Sequence, residues 1–98
     1  MRKAAKRDAN EPEIVEALRR AGCHVQRNSD TGVPDLTVTL PGGASVLYME
    51  VKSLRGKLTP AEAKWWADYE EACGIIRSAY IVRSIDCALA LVEAHRRF

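Results

Sequence analysis

The chain has 98 residues, 47% of them hydrophobic and 29% charged, a composition typical of one folded domain and unlike that of a disordered protein. No apolar run approaches the roughly 20 residues of a membrane-spanning helix, so we expect no membrane partner. The net charge of +2 does not identify a partner by itself. We expect a single domain over residues 1–98, with residues 1–9 as a flexible basic N-terminus and no signal peptide.

The three cysteines, Cys23, Cys73 and Cys87, are far apart and odd in number. Their spacing argues against a disulfide framework or a CxxC zinc site, and it is typical of proteins from a reducing cytosol. We therefore expect a cytoplasmic location, in a bacterial or phage-infected cell. We also expect all three cysteines to be small, buried core residues.

The first predicted element is a helix over residues 11–21, with Asn10 as N-cap and Gly22 as the stop. Apolar residues recur there at helical spacing, at Ile14, Val15, Leu18 and Ala21. The segment CHVQR (23–27) then alternates as a short strand, and NSDTG (28–32) has the composition of a turn.

Two strong strand patterns follow, DLTVTL (35–40) and SVLYMEVK (45–52), and the reversal PGGA (41–44) joins them into a predicted hairpin. Five steps back from Leu40 reach Asp35, and five steps forward from Ser45 reach Glu50. We therefore expect these two carboxylates to lie close together. Because side chains alternate along a strand, Lys52 shares a face with Glu50, while Met49 and Val51 point into the core.

The second half of the chain predicts a helix, a strand and a helix. Thr59 is the expected N-cap of the first, Glu62 completes a T-x-x-E capping box, and Gly74 ends the helix. IIRSAYIV (75–82) is a strand rich in β-branched residues, and Ser84 caps a last helix within 85–98. The order α-β-β-β-α-β-α predicts an α/β fold with a mixed sheet flanked by helices.

Two carboxylates and an ammonium group at one point indicate a metal-dependent hydrolytic site. Close carboxylates repel each other unless a cation lies between them, and Mg²⁺ (or Mn²⁺ in its place) is commonly held by one or two carboxylates together with phosphate and water. A nearby lysine can orient or deprotonate water, or stabilise the charge that develops on phosphorus. The pattern favours phosphodiester hydrolysis. The alternative is a purely structural salt-bridged triad on an exposed sheet face.

The stretch GVPDLTV followed by YMEVK resembles the PD-(D/E)XK nuclease signature. The flanking blocks NEPEIVEALRRAG and KLTPAEAKWW make the chain similar to the VRR-NUC branch, the virus-type replication-repair nucleases, from about Asp8 to Gly74. The resemblance implies a restriction-endonuclease-like core of order α-β-β-β-α-β, here followed by a C-terminal helix.

The same resemblance implies roles for individual residues. Lys52 would be the catalytic lysine. The metal ligands would be the carboxylates of Asp35 and Glu50 and the backbone carbonyl of Val51.

Two further acids are less clearly placed by the resemblance. An acidic residue of the first helix should also reach the site, and Glu11 fits best, with Glu13 as a close alternative. Glu62 departs from the family pattern, because relatives often have glutamine after LTPA. Its capping role alone explains it, but its charge could also bind a second ion or weaken the approach of a phosphate.

The resemblance implies a Mg²⁺-dependent endodeoxyribonuclease, and we expect it to act on branched DNA of the Holliday-junction or flap type, in DNA repair. A two-fold homodimer would suit the cutting of paired strands, and the small, stand-alone format suggests a phage origin. No glycine-rich phosphate loop is present, so we expect no nucleotide cofactor. The alternative function is a non-catalytic DNA-binding or assembly module on the same fold.

Overall fold

The computed structural model describes residues 8–43, 45–74 and 78–96. The elements, in chain order, are α1 (Glu11–Arg20), β1 (His24–Arg27), β2 (Leu36–Thr39), β3 (Val46–Val51), α2 (Pro60–Cys73), β4 (Ala79–Val82) and α3 (Ile85–Arg96). This order confirms the predicted one. Most of the expected basic N-terminus, the first three residues of the predicted fourth strand and the last two of the final helix lie outside the described residues.

The four strands form one mixed sheet in the order β1-β2-β3-β4, with β3 and β4 parallel and the other two pairs antiparallel. In the β2–β3 hairpin Leu36 lies opposite Met49, so the register extended by one residue brings Asp35 opposite Glu50. The N–H of Leu40 donates to the carbonyl of Ser45 at 2.9 Å and closes the hairpin. The structure therefore confirms the register that the residue count predicts.

The hydrophobic core lies between one face of the sheet and the helices α1 and α3, which pack against each other. Met49 and Val51 are fully buried on this face, as their alternation with Glu50 predicts. Burial of each such side chain contributes about 2 kcal/mol to folding. The other large, fully buried apolar side chains of this core are Ile14, Leu18, Leu36, Val38, Leu47 and Val82.

Helix α2 contributes no buried residue. Its Trp65 ring stacks on Tyr69 with centroids 5.0 Å apart and meets Tyr48 of β3 edge-on at 5.7 Å, so aromatic rings join the helix to the sheet face opposite the core. The expectation that all three cysteines are buried is wrong. Cys23 is buried, but Cys73 at the end of α2 and Cys87 in α3 are only half-buried. No helix in the described part of the chain has the length and apolarity to cross a membrane.

The helix caps follow the sequence signals with one exception. The capping box of Thr59 and Glu62 forms as predicted, and the Ser84 hydroxyl accepts from the Cys87 N–H at 3.1 Å. Asn10 precedes α1, but its side chain makes no cap, because its own backbone is already helical at φ −83° and ψ −5°. Instead its amide donates to the carbonyl oxygens of Lys52 and Arg83, at 3.3 and 3.1 Å. Asn10 therefore attaches the start of α1 to the ends of β3 and β4.

The turn after β1 packs closely against the first turn of α2. Gly32 has a φ of +85°, and a Cβ there would lie 2.9 Å from the backbone oxygen of Ala61. Glycine is therefore required both by the backbone conformation and by the space. Gly42 in the hairpin reversal has nearly the same φ, +87°, but open space around it.

Replacing Gly32 with alanine should destabilise the protein more than replacing Gly42. Both substitutions carry the left-handed strain of about 1–2 kcal/mol, but only Gly32→Ala adds a clash with Ala61, which we expect to cost about 1–2 kcal/mol more. Urea unfolding of the two variants measures the difference. Equal losses of unfolding free energy would show that the turn and α2 are not in fixed contact.

Candidate active site

A cavity of about 270 Å³ lies where the turn after β1, the ends of β2 and β3 and the start of α2 meet. One positively charged side chain, Lys52, lines it among the described residues. The acidic side chains that line it are Asp8, Asp30, Asp35, Glu50 and Glu62. The excess of carboxylates suits this cavity to bind cations. A phosphate can approach only if cations offset the negative charge.

Asp35 and Glu50 are brought together by the β2–β3 register. The backbone N–H groups of Tyr48 and Lys52, on either side of Glu50, donate to the carbonyl oxygens of Ser78, just before β4, and of Val82 in β4, so the main chain of Glu50 also faces β4. Asp35 and Glu50 are thus a non-hydrogen-bonded cross-strand pair, the type in which Cα atoms approach to about 4.5 Å and side chains are closest. Their carboxyl groups hydrogen-bond to each other.

Asp35 is held in place by the backbone of β3. Its Oδ2 accepts from the Val51 N–H at 2.8 Å, where a carbonyl of β2 would otherwise continue the ladder. The residue that the register brings opposite Val51 is Pro34, which has no N–H to donate to the Val51 carbonyl. The Gly-x-Pro-Asp turn therefore both positions the Asp35 carboxylate and leaves the Val51 oxygen without a donor from β2.

Glu50 is the most perturbed carboxyl group of the cavity. Its side chain is buried, and its Oε1 makes no hydrogen bond among the described residues. Burial, the hydrogen bond and charge of Asp35, and the charge of Glu62 raise the pKa of Glu50 to about 9. Lys52 Nζ lies 3.7 Å from Glu50 Oε2, which is beyond hydrogen-bond distance, so it does not keep Glu50 ionised. In the metal-free protein Glu50 is therefore neutral at pH 7.

Lys52 is held by Glu62. Its Nζ donates to Glu62 Oε1 at 2.8 Å, and both side chains are almost buried. Burial alone would lower the pKa of Lys52, but the hydrogen bond and charge of Glu62, with the charges of Glu50 and Asp8, outweigh it and raise that pKa. Lys52 therefore stays an ammonium group at neutral pH, which suits it to stabilise negative charge and not to remove a proton.

Glu62 has two roles that the sequence pattern could not separate. Its Oε1 accepts from the Thr59 N–H at 2.8 Å, which completes the capping box, and from Lys52 at the same distance. Burial would raise the pKa of Glu62, but these hydrogen bonds lower it, so Glu62 is ionised at neutral pH. The cap thus places a fixed negative charge against Lys52.

The acids of α1 lie apart from the cavity lining. Glu11 is fully buried, as its inward position predicts, and its Oε2 accepts from Arg27 Nε at 2.9 Å. Glu13 is exposed and lines a different groove, beside Arg83. Asp8, three residues before α1 begins, lines the cavity instead. Sequence reasoning missed Asp8, because it belongs to no helix or strand pattern and is brought there by the attachment of Asn10.

The side chains fit a Mg²⁺ ion that takes few protein ligands. Among the described residues no group of three or more His, Cys, Asp and Glu side chains has an arrangement that could hold a metal. Mg²⁺ needs fewer, because it usually keeps several waters and is bound through one or two carboxylates plus phosphate. The buried, unpartnered Oε1 of Glu50 beside the Asp35 carboxylate is the kind of atom that such an ion satisfies.

The raised pKa of Glu50 predicts that the metal-free protein loses stability as pH rises. Between about pH 4.5 and 9 the unfolded chain has released this proton and the folded chain still holds it, so the unfolding free energy falls across that window. The pKa of Lys52 is raised from 10.5 and that of Glu62 is lowered from 4.5, so their contributions change outside it.

Glu50→Gln keeps a neutral side chain and should remove this dependence, leaving the variant more stable than the wild type at pH 8.5 by at least about 1 kcal/mol. Urea unfolding of both proteins at pH 5 and 8.5 in chelator measures it. If the two proteins respond equally to pH, Glu50 is ionised in the metal-free fold.

Comparison with known proteins gives a result at the level of the fold. No protein-family model matches the chain, and no curated protein matches it. Among solved structures, one described as a "VRR_NUC domain" superposes with a TM-score of 0.66 at 21% sequence identity, over 88% of this chain and 97% of that one. The match supports the predicted VRR-NUC fold and the restriction-endonuclease-like α/β class. The chain described here has the fold of a VRR_NUC domain.

Proposed function

We propose that the chain is a Mg²⁺-dependent endonuclease that hydrolyses phosphodiester bonds in DNA, with Mn²⁺ able to replace Mg²⁺. The observation that carries the proposal is the contact of the Asp35 and Glu50 carboxyl groups beside Lys52 in one acidic cavity. The VRR_NUC fold of the similar structure supports a nuclease over other uses of such a cavity.

In this proposal Asp35, Glu50 and the carbonyl of Val51 hold the ion. Bound there, Mg²⁺ supplies a Lewis acid that polarises a phosphate and favours the ionised form of an attacking water. Holding the ion would require the ionised form of Glu50, so ion binding would be linked to loss of the Glu50 proton. The hydrogen bond from the Val51 N–H keeps Asp35 oriented throughout.

Lys52 acts on the phosphate as a fixed positive charge. Because its pKa is raised, it remains an ammonium group that stabilises the charge developing on the phosphate oxygens and orients the attacking water. Glu62 positions Lys52 through its 2.8 Å hydrogen bond. When a phosphate oxygen also accepts a hydrogen bond from the ammonium group, the bond to Glu62 must lengthen or become shared with the phosphate. The resemblance also implies a role for Glu11 in the site, but its carboxylate pairs with Arg27 and does not line the cavity.

The proposal also covers the DNA substrate and the oligomeric state of the protein. One cavity serves one strand, so a two-fold homodimer would present two cavities to the two strands of a branched DNA such as a Holliday junction or a flap. The competing function, a DNA-binding or assembly module without catalysis, does not account for the burial of Glu50 against Asp35 or for the burial of Lys52, each of which costs stability.

Metal binding should stabilise the fold through Asp35. At a Mg²⁺ concentration 100 times its Kd, the wild type should gain about 2.7 kcal/mol of unfolding free energy. Asp35→Asn, which keeps the size of the side chain, should gain far less. Thermal unfolding with and without Mg²⁺ measures both. The gain should be larger at pH 8.5 than at pH 6, because binding releases the Glu50 proton. No gain in the wild type as the Mg²⁺ concentration is raised would contradict the metal site.

Cleavage should depend on Lys52. Lys52→Ala should lower the rate of DNA cleavage by at least about 100-fold, the usual effect of removing a group that stabilises transition-state charge, while leaving DNA binding measurable. The assay compares a four-way junction, a flap, a linear duplex, single-stranded DNA and RNA, each with Mg²⁺, Mn²⁺ or excess chelator. Cuts at matched positions on two strands of the junction would support the homodimer.

The same assay includes the outcomes that oppose the proposal. Cleavage that persists in excess chelator would contradict the metal dependence, and a wild-type rate in Lys52→Ala would contradict the role of the lysine. Binding of the DNA substrates without any cleavage would favour the non-catalytic module.

A further inference from the structure

The loop that joins β3 to α2 holds the most exposed large apolar side chain of the described residues. Leu54 is 83% exposed, and the next such residue, Val46, is 39% exposed at the far end of β3. The loop runs between Lys52 and Thr59, which both line the cavity. Leu54 is not itself part of the lining, but only two residues of chain separate it from Lys52, at most about 7 Å between Cα atoms.

The backbone at Leu54 is firmly held although its side chain contacts solvent. One guanidinium nitrogen, Nη1 of Arg83, donates to the carbonyl oxygens of Ser53 at 2.6 Å, Leu54 at 3.2 Å and Gly56 at 2.9 Å. The N–H of Gly56 also donates to the Ser53 carbonyl at 3.1 Å and closes a tight turn. These contacts fix the direction of the loop tip, and a fixed apolar group loses less conformational entropy when it enters a partner.

The surroundings of Leu54 are cationic. Arg55 and Lys57 are both exposed, and within the described part of the chain neither makes an ion pair. A single exposed leucine is unremarkable on a protein surface. An exposed leucine on a rigid tip, followed in the chain by two exposed cations and close to an acidic cavity, matches a partner that carries stacked apolar faces between rows of negative charge. Duplex nucleic acid has that pattern.

We propose that Leu54 is a wedge that enters between stacked bases of the DNA whose phosphodiester lies in the cavity, while Arg55 and Lys57 contact the flanking phosphates. The inference rests on the proposed nuclease function and adds a determinant of its substrate choice. Apolar wedges of this kind unstack a base step at a cost of a few kcal/mol. The cost is lowest where bases are already unpaired, so the wedge favours branched DNA over linear duplex.

The test measures base unstacking without cleavage. The protein carries Lys52→Ala to prevent cutting, and a flap DNA carries 2-aminopurine next to the branch point. Binding should raise the fluorescence of the base, and adding Leu54→Ala should abolish the rise and weaken flap binding about tenfold. Leu54→Met should retain both effects, because methionine can also serve as a wedge. Val46→Ala, the matched control at the other exposed apolar residue, should change neither.

The salt dependence of DNA binding distinguishes the contribution of Leu54 from that of Arg55 and Lys57. The slope of log affinity against log salt concentration should be unchanged by Leu54→Ala and should decrease by about one for Arg55→Ala, as expected for one lost phosphate contact. If Leu54→Ala leaves the fluorescence rise and the flap affinity unchanged, the wedge is wrong. Cleavage of the flap by the wild-type protein would then still support the nuclease proposal. A chain that neither binds nor cuts DNA would overturn both.

Discussion

The contact between the Asp35 and Glu50 carboxyl groups is unfavourable in a protein that holds no cation, because a buried and a half-buried group that both prefer to be negative face each other across two strands. The register of the hairpin makes the contact unavoidable. A one-residue slip would move the buried side chains of β3 to the opposite face, so the pairing that forms the core also forces the two acids together. The free energy of burying the core therefore maintains an arrangement that local electrostatics opposes. Glu50 reduces the repulsion between the two carboxyl groups by keeping its proton, as its raised pKa indicates.

A second network links this acid pair to α2. Thr59, Glu62 and Lys52 form a chain in which the cap of a helix holds the ammonium group that faces Glu50. The start of α2 is thus placed by polar contacts with the site, by the packing of Ala61 on Gly32, and by aromatic rings further along the helix. The geometry of the cavity and the position of α2 depend on each other, whereas the core between the sheet and α1 and α3 depends on neither.

The parts of this structure that local patterns specify could be predicted from the sequence. The hairpin register followed from a short reversal and equal residue counts, and the capping box of Thr59 and Glu62 followed from spacing alone. Contacts between distant residues could not be predicted. Asn10 stands where the sequence predicts an N-cap. Its side-chain amide instead donates to the carbonyl oxygens of Lys52 and Arg83, because the end of the sheet offers these acceptors.

Glu62 shows the same limit within the candidate site. Its capping role was readable from the T-x-x-E spacing, but its bond to Lys52 depends on the path of the intervening loop. Arg83 sets that path through three backbone carbonyls, and nothing in its neighbourhood in the sequence indicates this. Asp8 reaches the cavity for a similar reason. The number of acids around the site was therefore underestimated, since each additional one arrives by tertiary packing.

The absence of any buried residue in α2 has an evolutionary consequence. Substitutions along its outer side remove no core packing, so their effect on the unfolding free energy should stay within about 0.5 kcal/mol. The outer side of α2 can therefore diversify in sequence while the cavity and the core stay constant. The outer side is therefore the natural place to graft a foreign recognition element, because Glu62 and the rings that contact the sheet stay unchanged.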